Sequence, residues 1–409
     1  MSVPLQRVVV TGMGIVSCLG NTLDDVSAAL RAGRSRIERI DAWRERGFGS
    51  QVAGVASVAQ EPPFDRKLER FMGDTARFAC HAAKKAIDDA GLDLAALRSP
   101  HAGTVIGSGV GTMSSYDVSM SIANTRGVDK VPPYTVPHAM SSTASANVAQ
   151  VFGLEGVSYS PSSACTTSAL AIGQAMQLIQ TGRQDIVLAG GSESLHDNMT
   201  LMFDAMGALS RNFNDRPQRA SRPYDTARDG FVIASGGGVL VLESLDHALA
   251  RGARIYAELT GFGDCTDAVG MVTPRAAGIA RAMRGALGEA GKRPDYINTH
   301  APSTPLGDVE ELRALIDVFG AEVPAFSSTK GMTGHPLGAC GAHEAIYTLL
   351  MMRDGFIAGT AGIETPEPGV VGMPLVRTTR DARIGTAMSI SFGFGGSCAS
   401  LMFEVWQGG

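Results

Sequence analysis

The chain has 409 residues, of which 44% are hydrophobic and 18% charged, and it carries a formal net charge of −5. That length buries a large core and fits two or three domains, or one built by duplication, while the negative balance excludes a general basic field for nucleic acid and leaves only local basic patches. No apolar run reaches membrane-spanning length and the start, MSVPLQRVVVTGMG, has the pattern of neither a signal segment nor a cleavage site, so the expectation is no membrane association and a cytoplasmic protein.

In chain order, RVVVTGMGIVS (7–17) reads as a strand and glycine turn, 22–32 and 72–90 as helices, the second closed by Gly91. AGTVIGSGVG (102–111) is a strand running into a glycine loop, and DIVLAGGSES (185–194) and GGGVLVLES (236–244) follow the same style. Strand-like runs alternating with helical patterns predict an α/β fold with buried sheets. The segment 204–230, rich in Arg, Asp, Asn and Pro, has no period and reads as irregular structure near a site or interface.

Near the start of the last third, YAELTGFG (256–263) echoes VVVTGMG. The echo continues: Cys165 precedes an apolar helix at 166–180, and Lys330 and His335 precede another at 339–352. Two similar βαβαβ halves, 1–250 and 251–409, would pack their sheets together and bring the two helix starts near one pseudo-twofold axis.

Six cysteines, Cys18, Cys80, Cys165, Cys265, Cys340 and Cys398, are scattered without a Cys-x-x-Cys pair. This speaks against a disulfide scaffold or a structural zinc site, and predicts reduced thiols, most of them small core residues. Reactive residue types gather in four loops: SSACTTSA around Cys165, INTHAPSTPLGD (297–308) with His300, SSTKGMTGHPLGACGAHEA (327–345) with Lys330 and His335, and SFGFGGS (391–397). A thiol at a helix start faces unpaired N–H groups and the positive end of the helix dipole, which lower its pKa and can hold an oxyanion. Against that stands the plain reading of a buried core thiol. His300 follows a short strand, with Asp308 opening a new helical pattern; alone, it and His335 read as turn residues and Lys330 as a solvated cation. TGMG and GSGVG lack the full dinucleotide fingerprint, so a nicotinamide cofactor is weakly supported. A Cys–His hydrolase stays open on residue types, but it leaves one histidine and the lysine without a role.

SSACTTSALAIGQA, NTHAPSTPLGDVEEL, STKGMTGHPLGACGAHEAI and SFGFGGS, in this order and spacing, resemble the β-ketoacyl-acyl-carrier-protein synthases of bacterial fatty acid synthesis. FDAMGALS, SRPYDTARDGFVIASGGG and HALARGARIYAELTGFG resemble the synthase I branch. The resemblance implies a thiolase-like α-β-α-β-α sandwich, a homodimer, and decarboxylative condensation without a metal or redox cofactor. In that reading Cys165 takes the acyl chain, the N–H groups of Cys165 and Phe394 form the oxyanion hole, and His300 and His335 stabilise the enolate made from malonyl-acyl carrier protein. Lys330 supports the histidines, and Phe394 acts as a gate. Asn298, Glu344 and Ser389 order the site and match positions that hold a monovalent cation. Thr304 and position 302 meet the pantetheine arm, and Arg66, Lys67, Arg70, Arg126 and Lys130 meet the acidic carrier.

The sequence departs from the family at Ala301-Pro302, where Gly-Thr is usual; Pro302 supplies no hydroxyl and no N–H. Ile390 replaces a usual asparagine, and GGSCAS stands where GGTNA is common. These departures motivate a second reading, a specialised ketosynthase of a polyketide, polyene or lipid-tail pathway. A non-catalytic partner subunit that measures chain length would be expected to lack Cys165, and a coenzyme A thiolase would use a second cysteine where this chain offers a second histidine.

Overall fold

The computed structural model describes residues 5–408. Runs of β-branched and small apolar residues form the ten strands of the main sheet: Val8–Val16 (β1), Ala102–Gly107 (β2), Ser158–Tyr159 (β3), Ile186–Glu193 (β4), Gly236–Ser244 (β5), Ala257–Thr266 (β6), Tyr296–Asn298 (β7), Ala325–Ser327 (β8), Thr386–Phe392 (β9) and Ser397–Glu404 (β10). They hydrogen-bond in the order β8-β7-β9-β10-β6-β1-β5-β4-β2-β3. Reading outwards from the centre, β1-β5-β4-β2-β3 and β6-β10-β9-β7-β8 are the same arrangement twice. Each set has two antiparallel pairings followed by two parallel ones. The sets join where Val9 and Val10 face Glu258 and Ala257, within the two strands that carry the sequence echo.

Because side chains alternate across a strand, each sheet has two faces to cover. Val239, Val241, Ile186 and Leu188 pack outward against Asp74–Ala90 (α1) and Thr143–Phe152 (α2). Their neighbours Leu240, Leu242, Val187 and Ala189 point inward, onto Thr167–Gln180 (α3) and Cys340–Asp354 (α6). In the second set Ala387, Leu401 and Phe403 meet those same two helices, while Met388, Ile390 and Met402 face Ala276–Ala290 (α4) and Gly307–Phe319 (α5). The result is five layers, α-β-α-β-α. The sheets do not pack on each other directly as expected from sequence; α3 and α6 lie between them. Thirteen consecutive residues of α6, from Cys340 to Met352, are buried, the signature of a helix enclosed on every side.

The echoed glycines have a packing role. A Cβ at Gly12 or Gly14 would strike the carbonyl oxygens of Ala86 and Ala82 in α1, and one at Gly261 or Gly263 those of Ala286 and Ala282 in α4. Small residues on both partners let helix and strand backbones touch, which explains TGMG and TGFG without a phosphate ligand. The segment 204–230 is largely irregular, as its composition predicts, and its Tyr224 and Arg222 are fully buried against the second set.

Candidate active site

Cys165 stands in the short 3-10 turn Ala164–Thr166 that leads into α3, and Leu337–Ala339 leads in the same way into α6. Each turn holds one residue in the left-handed region, Ala164 at φ 51° and Leu337 at φ 45°. A residue with a Cβ adopts that conformation at a cost of about 1–3 kcal/mol, so its surroundings must impose it. They do. Thr167 Oγ1 accepts from Ser163 N–H at 2.9 Å and donates to Ala164 O at 2.7 Å, bracketing the first turn. The buried Glu193 carboxylate accepts from Gly109 N–H at 2.8 Å and Gly338 N–H at 3.0 Å, tying the two turns' neighbourhoods together.

His335 Nε2 lies 2.9 Å from Cys165 Sγ. The His300 ring is perpendicular to that of His335, with centroids 5.1 Å apart, and ligand atoms of Cys165, His300 and His335 all fall within 4.8 Å of one another. Backbone pairing fixes both histidines: His335 N–H donates to Val232 O at 2.7 Å, and Glu311 accepts the N–H groups of His300 and Ala301 at 2.7 and 2.8 Å. Phe392 packs on His300 and Phe231 on His335. Burial, helped by the Lys330 charge, holds both imidazoles well below their usual pKa, so both are neutral near pH 7. A neutral imidazole offers one N–H donor and one lone pair.

The thiol corrects one expectation. A helix start alone predicts a lowered pKa, but here burial dominates and pushes Cys165 up to about 12; Lys330 and the Phe394 N–H pull it down, and Glu193 and Glu344 push it further up. Cys165 therefore rests as a thiol hydrogen-bonded to a neutral histidine.

Lys330, which on sequence alone reads as solvated, is 1% exposed and forms an ion pair with the equally buried Glu344. Burial lowers the lysine pKa, but Glu344 more than offsets it. Glu344 itself is raised to about 7 by burial, opposed by Lys330. Its second oxygen, and both side-chain polar atoms of Asn298, are buried without a hydrogen-bond partner among the described residues. Ser389 is buried opposite Asn298 in the β7–β9 register.

Above the sulfur opens an apolar cavity of about 510 Å³ lined by residues including Val110, Phe203, Met206, Phe231, Val272 and Leu306. Cys165, His300, His335, Pro302, Thr304 and Phe394 all reach it, and Phe394 packs 6.2 Å from Phe203, ring to ring. Thr304 Oγ1 accepts the Gly307 N–H at 3.2 Å and so also caps the entry to α5. Arg66, Lys67, Arg70, Arg126 and Lys130 are not in the cavity wall; all five are exposed. Arg70 stacks on Phe71 and Tyr134, drawing the 66–70 and 126–134 segments together, and Lys130 is paired with Asp129 at 2.8 Å.

Three contributors escape the sequence reading. Glu311, three residues after Asp308, holds the His300 backbone and takes the hydroxyl of Tyr224 at 3.0 Å. Glu193 braces the turns, and Cys340 donates its thiol to Cys165 O at 3.0 Å. Buried acids that bind backbone N–H groups have no residue-type signature of their own. Position at a strand end, as for Glu193, or early in a helix, as for Glu311, is the one clue they leave.

Residues 5–248 match the family described as "Beta-ketoacyl synthase, N-terminal domain", and residues 256–364 match "Beta-ketoacyl synthase, C-terminal domain". The chain belongs to the β-ketoacyl synthase family. Among curated proteins, this synthase is 48% identical over 406 residues to 3-oxoacyl-(acyl-carrier-protein) synthase 1 of Haemophilus influenzae, a match spanning 99% of this chain and 100% of that one. A crystal structure of a β-ketoacyl synthase from Burkholderia phymatum superimposes with a TM-score of 0.93 at 36% identity, covering 98% of this chain and 100% of the other. A type II polyketide ketosynthase in complex with its acyl-carrier protein and bound to the hexaketide gives 0.90 at 31% identity, covering 98% and 100%. The synthase is thus a thiolase-like condensing enzyme, an acyltransferase of fatty acid biosynthesis.

Proposed function

We propose that Cys165 carries the growing acyl chain and that His300 and His335 drive its extension from a malonyl thioester. The observation that carries this reading is the 2.9 Å approach of His335 Nε2 to Cys165 Sγ, with His300 beside it, at the floor of an apolar cavity. In the first half-reaction Cys165 gives its proton to His335 and its sulfur attacks the acyl thioester carbon. The N–H groups of Cys165 and Phe394 hold the oxyanion. The old C–S bond breaks and the carrier sulfur leaves with the proton.

In the second half-reaction the malonyl C–carboxylate bond breaks, carbon dioxide leaves, and the electron pair enters an enolate whose oxygen accepts from the ring N–H groups of His300 and His335. The carbanion then attacks the acyl-Cys165 carbonyl. A C–C bond forms, the acyl–sulfur bond breaks, and the thiolate recovers a proton from solvent. Burial, helped by the Lys330 charge, keeps both imidazoles neutral, so neither delivers a proton that would quench the carbanion. Phe394, on a glycine loop, gates entry of the second substrate. Asn298, Glu344 and Ser389 would hold a monovalent cation: the unpaired buried oxygens of Asn298 and Glu344 suit a hard ion.

The acyl and malonyl groups arrive on phosphopantetheine of an acyl carrier protein, with no further cofactor required by this chemistry. Thr304 and Pro302 border the arm's route, and Arg66, Lys67, Arg70, Arg126 and Lys130 form the basic face for the acidic carrier. The chain divides into halves at about 1–250 and 251–409, which the repeated strand order supports. A cytoplasmic homodimer completes the reading. No residue of the helix Met113–Arg126 is buried, and its Tyr116, Val118 and Met120 stand exposed, a surface suited to a second copy. No helix of the described residues is long and apolar enough to cross a membrane.

The test is intact-protein mass spectrometry after incubation with acyl-carrier thioesters. One acyl adduct located on Cys165, released on addition of malonyl-acyl carrier protein, is expected; an adduct on any other cysteine would overturn the mechanism.

A further inference from the structure

Cys265 and Cys398 have no part in the condensation, yet the fold sets them face to face. They are direct partners in the antiparallel β6–β10 pairing, so their side chains project from the same face of the sheet. Both belong to the apolar layer beneath α4. Both sulfurs converge on Gly278 of that helix: Cys265 Sγ lies 3.2 Å from Gly278 O, and Cys398 Sγ lies 3.3 Å from where a Gly278 Cβ would stand. Directly opposed antiparallel residues hold their Cα atoms about 4.5–5.5 Å apart, within the roughly 4.4–6.8 Å that a disulfide spans. Cys265 is partly exposed and Cys398 buried, so one thiol of the pair is open to a small oxidant.

What surrounds the pair is the glycine loop of the active site. Cys398 follows Ser397, whose carbonyl accepts the Gly393 N–H at 2.9 Å and whose hydroxyl bonds Thr166, beside the nucleophile, at 2.7 Å. The chain just past Cys265 holds the other side of the loop: Asp267 N–H donates to Gly396 O at 2.8 Å, and Gly395 N–H donates to Met271 O at 2.7 Å. The loop runs from β9 into β10, and both strands that bear the cysteines, β10 directly and β6 through the chain just past it, therefore hold it in place.

We propose that Cys265 and Cys398 form a reversible cross-strand disulfide under peroxide, a modification that fastens the Phe394 loop and slows turnover. Peroxide oxidises Cys265 to the sulfenic acid, its O–O bond breaking and one water leaving. The Cys398 sulfur then displaces the hydroxyl as a second water and the S–S bond forms, so two thiols are oxidised and one peroxide is reduced to two waters. Thiol reductants reverse it. Bond formation rests on the strand register alone, whereas the effect on turnover rests on the condensation mechanism given above.

The full-length reduced protein is treated with hydrogen peroxide, free thiols are blocked, and the digest is mapped by mass spectrometry. Expected are a mass loss of about 2 Da, one hydrogen from each thiol, a cross-linked peptide joining Cys265 to Cys398, and loss of the cross-link on adding dithiothreitol. Recovery of both cysteines singly blocked, under conditions that oxidise Cys165, overturns the proposal. In a parallel assay Cys165 is protected by prior acylation, the protein is oxidised, and malonyl-acyl carrier protein is added. Oxidised wild type should turn over several-fold more slowly, dithiothreitol should restore it, and Cys265→Ser should be unaffected by the same treatment. Equal losses in Cys265→Ser would refute the loop-fastening step. A protein that yields the cross-link when oxidised but shows no turnover when reduced would sink the condensation mechanism and leave the disulfide standing.

Discussion

Nε2 of His335 lies 2.9 Å from Sγ of Cys165 across 170 residues of chain, and the sulfur it meets belongs to a half-buried thiol whose pKa is pushed up to about 12. Two influences compete at that sulfur. The helix start and Lys330 favour the thiolate, while burial and the carboxyl groups of Glu193 and Glu344 favour the thiol, and burial wins. Since the thiolate is the reactive form, alkylation of Cys165 by iodoacetamide should rise about tenfold per pH unit between pH 7 and 9 without levelling off. The rate is read on the Cys165 peptide by mass spectrometry. A plateau near pH 8 would show that the helix start prevails.

Lys330 and Glu344 are both almost fully buried, and the two partners are not equivalent. Glu344→Leu strands an ammonium ion in the core and should destabilise the fold by about 3–5 kcal/mol. Lys330→Met should cost less, because the Glu344 carboxyl, already raised to about 7 by burial, can take a proton instead. The double variant should recover most of the loss. Denaturant unfolding of the three proteins measures this, and a double variant as weak as Glu344→Leu would exclude coupling.

Gly393 lies where no side chain fits: its Cβ would come within 2.8 Å of the Cys165 backbone nitrogen, one of the two oxyanion donors proposed above. Gly393→Ala must displace that donor or the loop. A lost oxyanion donor typically slows reaction by about 10²–10³-fold, and acyl loading of Cys165 should fall by that order. Stopped-time mass spectrometry of the acyl-enzyme checks it; loading at the wild-type rate would mean that the loop yields without disturbing the donors.

Pro302 borders the cavity and supplies no hydroxyl to it. One added hydrogen bond contributes about 0.5–1.5 kcal/mol, so Pro302→Thr should lower KM for carrier-borne substrate by up to about tenfold, with kcat little changed. Steady-state kinetics with an acyl and a malonyl carrier thioester decide the matter. An unchanged KM would show that Thr304 and the backbone already hold the arm.

The basic face near Arg66, Lys67 and Arg70 gives a prediction of a different kind. Charge reversal at all three should raise KM for carrier substrates most strongly at low salt and leave acylation by a free pantetheine thioester untouched, because screened surface charges act on association. Equal effects on both substrates would remove carrier docking as their role.

Much of this protein was legible in its sequence. Local pattern alone located β1, β2, β4 and β5, and the Gly91 stop of α1, because alternation, helical period and a left-handed closing residue are local properties. The TGMG–TGFG echo pointed to duplication, since the same glycines are needed wherever a helix lies this close to a strand. The motifs around Cys165, His300, Lys330 and His335 marked the reactive residue types. What tertiary structure decided was their electrical state and company. Burial, which no local pattern encodes, turned Lys330 from a surface cation into half of an enclosed ion pair, reversed the expected shift of the Cys165 thiol, and kept both histidines neutral. Glu193 and Glu311 acquired their roles because distant backbone N–H groups converge on them, and Cys265 and Cys398 because antiparallel register aligns them. Desolvation and long-range register depend on what the rest of the chain places nearby, and that information exists only once the chain is folded.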